Sequence, residues 1–135
     1  MKAYIFGPIT LNGEDYVSVY KYLTTVCKSF FDEIVCTYPD FWDSKETPRK
    51  FYDRTYTIIT KCDWFIAEVS SASMGVGMEL QMGVEKKIPL IALCKKGMKL
   101  SQMVLGLPNL KEVIYYENLD DAGAQLIKAL KFCSI

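Results

Sequence analysis

Residues 62–80 read CDWFIAEVSSASMGVGMEL, and this stretch decides the fold. Trp64–Val69 is a strongly apolar run of strand length, and a polar turn at Ser70–Ser73 follows it. From near Gly75 the spacing of apolar residues predicts a helix that runs to Lys86. A buried strand that passes through a Ser/Gly turn into a helix is a repeating unit of α/β sheets.

The same alternation of apolar runs and amphipathic stretches extends outward to both ends of the chain. Further strands are predicted at Lys2–Phe6, Glu33–Thr37, Pro89–Cys94 and Lys111–Tyr116. Helices are predicted at Glu14–Phe30, from Pro48 to about Lys61, at Leu100–Leu105 and at Asp120–Phe132, with a loop at Tyr38–Thr47. Five strands interleaved with helices predict a doubly wound, flavodoxin/Rossmann-like, five-stranded parallel sheet with helices on both faces. With no linker or repeat, residues 1–135 are predicted to form a single domain.

The composition excludes several classes of function. Of 135 residues, 50% are hydrophobic and 24% are charged, which is a globular rather than a disordered balance. Sixteen basic residues cancel sixteen acidic ones, so neither a nucleic acid polymer nor an anionic membrane is an expected partner. The chain has no histidine, which excludes His-dependent triads and zinc sites. Carboxylates, hydroxyls and backbone groups must therefore carry any catalysis.

Cysteine usage and hydropathy predict a cytoplasmic protein. The five cysteines have no C-x-x-C spacing, and their odd number favours reduced core thiols. The apolar run near the N-terminus stops at Gly7-Pro8, which is too short for the core of a signal peptide. The longest apolar run, Pro89–Cys94, is far below the length that crosses a bilayer.

Ligands of doubly wound sheets bind beyond the carboxyl ends of the strands, at the point where strand order reverses. That rule selects the segments Gly7–Gly13, Val69–Gly77 and Cys94–Ser101.

Within the second segment, Gly75 and Gly77 would allow the backbone to approach a ligand, and Ser71 and Ser73 lie beside the first amides of the helix. A phosphate site and a plain strand-to-helix turn with serine caps explain this pattern equally well. Glu79 is expected to be ionised near the helix N-terminus, either as a nucleophile or merely as a complement to the helix dipole.

Three blocks of sequence resemble a known family. Residues 66–70 read IAEVS and residues 72–80 read ASMGVGMEL, in which Ala72 replaces a proline of the family pattern. Tyr4–Ile9 and Leu100–Val104 match its opening strand and a later L-S-x-M stretch. In these blocks the chain resembles the nucleoside 2-deoxyribosyltransferase superfamily, and most of all its branch of 2'-deoxynucleoside 5'-monophosphate N-glycosidases.

The resemblance implies roles for individual residues. Glu79 matches the nucleophile that attacks the anomeric carbon, and Ser73 matches a serine that contacts the 5'-phosphate. Ser101 matches a serine that reaches the phosphate from a neighbouring subunit, which implies a homodimer. No metal or organic cofactor is implied. The remaining substrate-binding positions are Tyr4, Gly7, Ile9, Gly75 and Gly77.

One departure from the family affects the general acid. The family carries an aspartate where this chain has Thr55, and the nearest carboxylate is Asp53. Positions two apart on a helix do not share a face, so Asp53 is a doubtful substitute. Tyr52 or an acid in Tyr38–Asp43 are alternatives. A cationic phosphate contact of the family is also missing, and Lys99 either replaces it or is a solvated surface lysine.

Other residues are given structural roles. Asp63 is expected to cap a strand, and Glu68 either orients its neighbours or is a buried structural group. Met74, Met78 and Met82 have helical spacing and are expected in the core.

The sequence is compatible with three functions. They are an N-glycosidase acting on deoxynucleoside monophosphates, a 2-deoxyribosyltransferase acting on free nucleosides, and a non-catalytic nucleotide-binding protein. Ser73 disfavours the transferase, since transferases of the family carry a carboxylate there. Thr55 is the feature that favours the binding protein.

Overall fold

The computed structural model describes residues 1–11, 14–38 and 45–135, with only the backbone of residues 10, 11, 14 and 15. Its strands are β1 (Lys2–Phe6), β2 (Thr10–Leu11), β3 (Glu14–Asp15), β4 (Glu33–Cys36), β5 (Trp64–Glu68), β6 (Leu90–Lys95) and β7 (Leu110–Tyr116). Five of them form one parallel sheet in the order β4-β1-β5-β6-β7. This is the flavodoxin-like order, so the predicted fold class is confirmed.

The helices are α1 (Val17–Cys27), α2 (Pro48–Ile59), α3 (Met74–Glu85), α4 (Gln102–Leu105) and α5 (Leu119–Phe132). Their starts follow from capping residues in the sequence. Thr47 accepts a hydrogen bond from the amide of Lys50 and precedes Pro48, which suits the first helical position. Asn118 accepts from the amide of Asp121 in the same way.

The sheet is buried on both faces, and alternate residues of one strand enter different cores. Ala3 and Ile5 belong to the core beneath α1 and α5. Tyr4 and Phe6 belong to the core on the α2 and α3 side. At Gly83 of α3, an added Cβ would lie 2.6 Å from the ring of Phe65, so α3 packs tightly on β5. This contact fixes the helix that carries Glu79 over the centre of the sheet.

The predicted helix Glu14–Phe30 is wrong at both ends. Residues 10–11 and 14–15 pair as two antiparallel strands, and α1 begins only at Val17 and ends at Cys27. The sequence Asn12-Gly13 between the two strands is a signal for a hairpin. The helix was predicted from the spacing of apolar residues, which takes no account of this dipeptide. Most of the predicted loop Tyr38–Thr47 lies outside the described residues.

The structural role expected of Asp63 is confirmed. Asp63 accepts a hydrogen bond from the amide of Lys2 at 2.7 Å, and so joins the amino ends of β5 and β1. All five cysteines are free, and burial raises the pKa of Cys27 to about 12. Within the described ranges, no helix is both long and apolar enough to cross a bilayer.

Candidate active site

The strand order reverses between β1 and β5, and doubly wound sheets bind ligands in the crevice beyond the carboxyl ends of the strands at such a point. Gly7 follows β1 at this point, and a Cβ there would lie 2.5 Å from Tyr20 Oη and 2.8 Å from the carbonyl oxygen of Glu68. Only glycine permits this approach. Tyr20 Oη also donates to the carbonyl of Pro8, which pins the loop after β1 to α1. Ile9, two residues beyond Gly7, is partly exposed.

A hydrogen bond joins Tyr4 of β1 to Glu79 of α3. Tyr4 is fully buried on β1, and its Oη donates to Glu79 Oε1 on α3 at 3.2 Å. The ring of Tyr4 stacks on Phe6 at 4.6 Å between centroids and meets the edge of Phe65 at 5.7 Å. Because aromatic packing on two sides holds the tyrosine, its hydroxyl is a fixed donor to the carboxylate.

The environment of Glu79 corrects the expectation that the helix dipole keeps it ionised. Burial raises the pKa of Glu79 to about 7, and the hydrogen bond from Tyr4 opposes this rise. Glu79 lies in the second turn of α3, where the influence of the dipole has largely faded. Desolvation of the charged form therefore dominates. The pKa of Tyr4 lies well above its ordinary value, chiefly through burial, so Tyr4 remains a donor at neutral pH.

A cavity of about 340 Å³, which we call the serine groove, lies between the start of α3 and the segment around α4. Its polar lining consists of Ser70, Ser71, Ser73, Lys99 and Ser101. The hydroxyl oxygen of Ser73 accepts from the amide of Val76, and that of Ser101 accepts from the amide of Met103. Each serine caps a helix as an acceptor and can donate its own proton to a ligand oxygen. The capping interpretation and the phosphate interpretation are therefore compatible.

Ser101 of the same chain lines the groove together with Ser73, whereas the family resemblance draws this serine from a neighbouring subunit. Gly77 also lines the groove, but Glu79 is not among its lining residues. Residues two apart on a helix point about 200° apart, so Gly77 and Glu79 lie on different flanks of α3. Gly75, four residues before Glu79, shares the Glu79 flank. On one flank of α3, Glu79 is hydrogen-bonded to Tyr4. On the other flank, Ser73 and Ser101 line the serine groove together.

Neither Gly75 nor Gly77 is required by packing within the described chain. A Cβ added at either would meet nothing within 4 Å, and neither has a positive φ. Glycine inside a helix costs about 1 kcal/mol relative to alanine. The space beside both glycines is open, so a ligand could approach the backbone at the start of α3.

Glu68 anchors the turn that carries the serines. Its side chain is fully buried, with Oε1 accepting from the amide of Ser70 at 2.5 Å and Oε2 accepting from Tyr116 Oη. Ser70 Oγ in turn accepts from the amide of Lys95 at 2.7 Å. Glu68 is therefore a buried, hydrogen-bonded group whose bonds also hold Ser70 and Tyr116 in place, so its contacts fit both roles expected from the sequence.

Tyr16 is a further anchor that sequence reasoning missed. It is buried, and its hydroxyl lies 2.9 Å from Ser71 Oγ, although 55 residues separate the two in sequence. Lys95 Nζ lies 5.0 Å from the centroid of the Tyr16 ring. No local pattern signals such a contact, because it depends on the approach of α1 to the turn after β5.

Among the described general-acid candidates, no hydrogen bond to Glu79 is found. Both carboxylate oxygens of Asp53 accept from Arg49 Nε, at 3.0 and 3.1 Å, and the Asp53 side chain is 55% exposed. Thr55 is buried on the same helix, and its Oγ1 has no hydrogen-bond partner among the described residues. Tyr52 is exposed. The acids of Tyr38–Asp43 lie outside the described residues.

The methionine prediction is wrong for two of three positions. Met82 is buried, but Met74 is 87% exposed and Met78 is 49% exposed. Helical spacing places residues on shared faces but does not show whether another part of the chain covers a face. Met103 on α4 is also exposed, so apolar side chains flank the serine groove at the starts of two helices. Over the ranges that the structure describes, no three His, Cys, Asp or Glu side chains form a metal site.

Two archaeal relatives match part of the sequence, although no protein-family model matches it. A Methanosarcina mazei protein named "Putative 2'-deoxynucleoside 5'-phosphate N-hydrolase 1" is 38% identical over 92 residues, which are 65% of this chain and 57% of that one. A Methanosarcina barkeri protein of the same name is 34% identical over 67 residues, or 50% and 42% of the two chains. The match spans about half the length of these curated relatives.

Solved structures share the whole fold at low identity. The CMP N-glycosidase of Clostridium botulinum superposes with a TM-score of 0.73 at 16% identity, over 93% of this chain and 97% of that one. A 2-deoxyribosyltransferase from Bacillus psychrosaccharolyticus gives 0.66 at 15% identity, over 91% and 90%. The sequence matches bear out the resemblance to N-hydrolases predicted from the sequence, and the solved structures show that the fold is shared.

Proposed function

We propose that this chain, which resembles the nucleoside 2-deoxyribosyltransferase superfamily in sequence and fold, is an N-glycosidase. Its substrates would be 2'-deoxynucleoside 5'-monophosphates, and its products the free base and 2-deoxyribose 5-phosphate. The names of the two Methanosarcina relatives support this substrate class. The observation that carries the proposal is the hydrogen bond from Tyr4 to Glu79 at the point where strand order reverses.

The proposed reaction proceeds in two displacements. The ionised Glu79 carboxylate attacks C1' while the bond from C1' to the base nitrogen breaks, and the electron pair leaves with the base. Tyr4 holds Oε1, so that Oε2 can be the attacking atom. The resulting sugar ester on Glu79 is then hydrolysed by water, with overall retention at C1'. The departing base takes its proton from water, and the water that hydrolyses the ester releases one in return.

The phosphate would bind at the start of α3. Ser73 can donate its hydroxyl proton and the Gly75 amide lies on the Glu79 flank, so phosphate and nucleophile would contact the same helix end. A carboxylate at position 73 would repel a phosphate dianion, whereas serine does not. Lys99 would add positive charge from the serine groove. We assign Tyr4, Gly7 and Ile9 to the sugar and base side of the crevice.

A homodimer is part of this proposal. The exposed Met74, Met78 and Met103 provide apolar surface at the starts of α3 and α4, where a second copy could pack. In such a dimer Ser101 would act on the neighbouring site, as the resemblance implies. Since the same chain's Ser101 already borders the groove, the monomer also offers both hydroxyls. We place the reaction in the cytoplasm, where nucleotides are available and the five thiols stay reduced.

The surroundings of Thr55 favour one other candidate, a protein that binds nucleotides without cleaving them. Thr55 is buried without a hydrogen-bond partner in the described part of the chain, and Asp53 is engaged by Arg49 at the surface. If no acid protonates the base, cleavage is slow and a nucleotide remains intact.

Chromatography of released base tests both candidates. The wild type and Glu79→Ala are incubated with deoxynucleoside monophosphates, the matching deoxynucleosides, and ribonucleotides, with and without a second acceptor base. The N-glycosidase releases base from the deoxynucleoside monophosphates alone, and the variant releases none. Base exchange on free nucleosides would establish the transferase instead. Binding without release would establish the non-catalytic protein.

A further inference from the structure

A second cavity lies at the amino ends of the strands, away from the carboxyl ends where we expect the substrate to bind. Its volume is about 460 Å³, and it opens at the amino ends of β6 and β7. It is lined by Val84, Lys87, Pro89, Pro108, Asn109 and Lys111. A strand of five or six residues spans about 16–20 Å, so this cavity is separated from the crevice by the full height of the sheet.

One buried side-chain oxygen of a residue that lines this cavity has no hydrogen-bond partner among the described residues. Asn109 is only 8% exposed, and its Nδ2 donates to the carbonyl of Ile88 at 2.6 Å. Its Oδ1 is buried and accepts no hydrogen bond from any described residue. Buried polar groups in folded proteins are nearly always paired, so an unpaired acceptor in a cavity wall indicates a missing donor.

Lys87 occupies a backbone position that favours glycine. Its φ is 58°, and the amide of Ile88 donates back to the carbonyl of Gly83 at 2.8 Å, which is the helix ending that usually has glycine at this residue. A residue with a Cβ is strained there. The Lys87 side chain brings an ammonium group to the cavity.

Lys111 adds a second positive charge from β7. Neither Lys87 nor Lys111 forms an ion pair or a side-chain hydrogen bond with another residue in the described ranges. Two lysines without a carboxylate partner attract an anion. Val84, Pro89 and Pro108 supply apolar surface between the lysines and the amide.

We propose that this cavity is a second ligand site, which binds a small organic anion that has an apolar ring and an N–H donor. A nucleoside monophosphate has this chemistry. Its phosphate would bind Lys87 and Lys111, and the ring would pack against the two prolines. The Asn109 side chain would turn on binding, so that its buried Oδ1 accepts from a base N–H. The site is independent of the reaction at Glu79.

The test follows individual backbone amides by nuclear magnetic resonance in the isotope-labelled full chain. Glu79→Gln is the background, so that no added nucleotide is consumed. Cytidine 5'-monophosphate is titrated, with cytidine and inorganic phosphate as probes that each lack one half of the ligand. We expect the amide chemical shifts of Val84, Lys87, Ile88 and Asn109 to change saturably with nucleotide concentration. This result does not depend on whether the amides of Ser73 and Gly75, at the proposed phosphate site, also shift. Cytidine and phosphate should bind at least about tenfold more weakly, a difference of about 1.4 kcal/mol.

Lys87→Gly separates a ligand contact from a structural role. This variant relieves the strained φ, so its melting temperature should rise, while its affinity at this cavity should fall about tenfold or more. Lys111→Ala should weaken binding in the same way, and the distant surface variant Lys131→Ala should not. No saturable shift at these amides up to millimolar nucleotide, equal binding of inorganic phosphate, or unchanged affinity in Lys87→Gly would each overturn the proposal.

Discussion

Replacing Glu79 by glutamine should increase stability at high pH while it removes activity. The wild-type carboxyl has a pKa of about 7 in the folded chain, against an ordinary value of 4.5, because burial penalises its charged form. A raised folded-state pKa contributes stability that is fully present below pH 4.5 and is lost as pH rises through 7. At 1.36 kcal/mol per tenfold change, the full difference corresponds to about 3.4 kcal/mol.

Between pH 5 and pH 8.5, about 2.5 kcal/mol of that amount is expected to be lost in the wild type. Because Glu79 is partly exposed, we expect a measured loss of about 1–2.5 kcal/mol relative to Glu79→Gln. Urea unfolding of both proteins at the two pH values, at one protein concentration, measures this difference. Glu85→Gln, on the exposed end of the same helix, is the matched control and should differ from wild type equally at both pH values. Parallel pH dependence of Glu79→Gln and wild type would refute the burial argument.

Four further predictions concern the crevice. The nucleophile must be ionised, so kcat/KM for base release should rise with pH up to about 7 and then level; a profile that falls across this range contradicts the role of Glu79. Tyr4→Phe removes a hydrogen bond that lowers the Glu79 pKa, so the same rise should move to higher pH, and an unmoved profile would remove Tyr4 from the account. Ser73→Asp should raise KM for a deoxynucleoside monophosphate by about tenfold or more through charge repulsion, with Ser134→Asp as the distant control; an unchanged KM would place the phosphate elsewhere. Gly7→Ala should destabilise the fold by about 1–3 kcal/mol in urea, because its Cβ would lie 2.8 Å from a backbone oxygen, whereas Gly75→Ala should not destabilise it at all.

Much of the fold was predictable because the central strands are unambiguous. Trp64–Glu68 and Leu90–Lys95 are short apolar runs between turns, and they became the buried strands β5 and β6 within one residue of prediction. The pairing of β2 with β3 was missed because two-residue strands are too short to show a periodic pattern. Met74 and Met78 were misplaced because helical spacing cannot show that a face has no partner in the chain.

The candidate site was only partly predictable. The Ser/Gly turn and Glu79 lie within one continuous stretch, so the sequence places them at the same helix end. The pairing of Glu79 with Tyr4 joins residues 75 apart in sequence and depends on how α3 lies over β1. The expected ionisation of Glu79 failed for a similar reason, since desolvation depends on tertiary packing, whereas the helix dipole can be inferred from the sequence.

Mass spectrometry of a trapped intermediate tests the central claim most directly. The chain is incubated with a deoxynucleoside monophosphate that carries fluorine at the 2'-position, which slows both displacements, then quenched in acid and digested. The account predicts a sugar phosphate ester on the peptide that contains Glu79, absent in Glu79→Gln and absent when the unphosphorylated nucleoside is used. Base release without an adduct at Glu79, or an adduct on another residue, would contradict it.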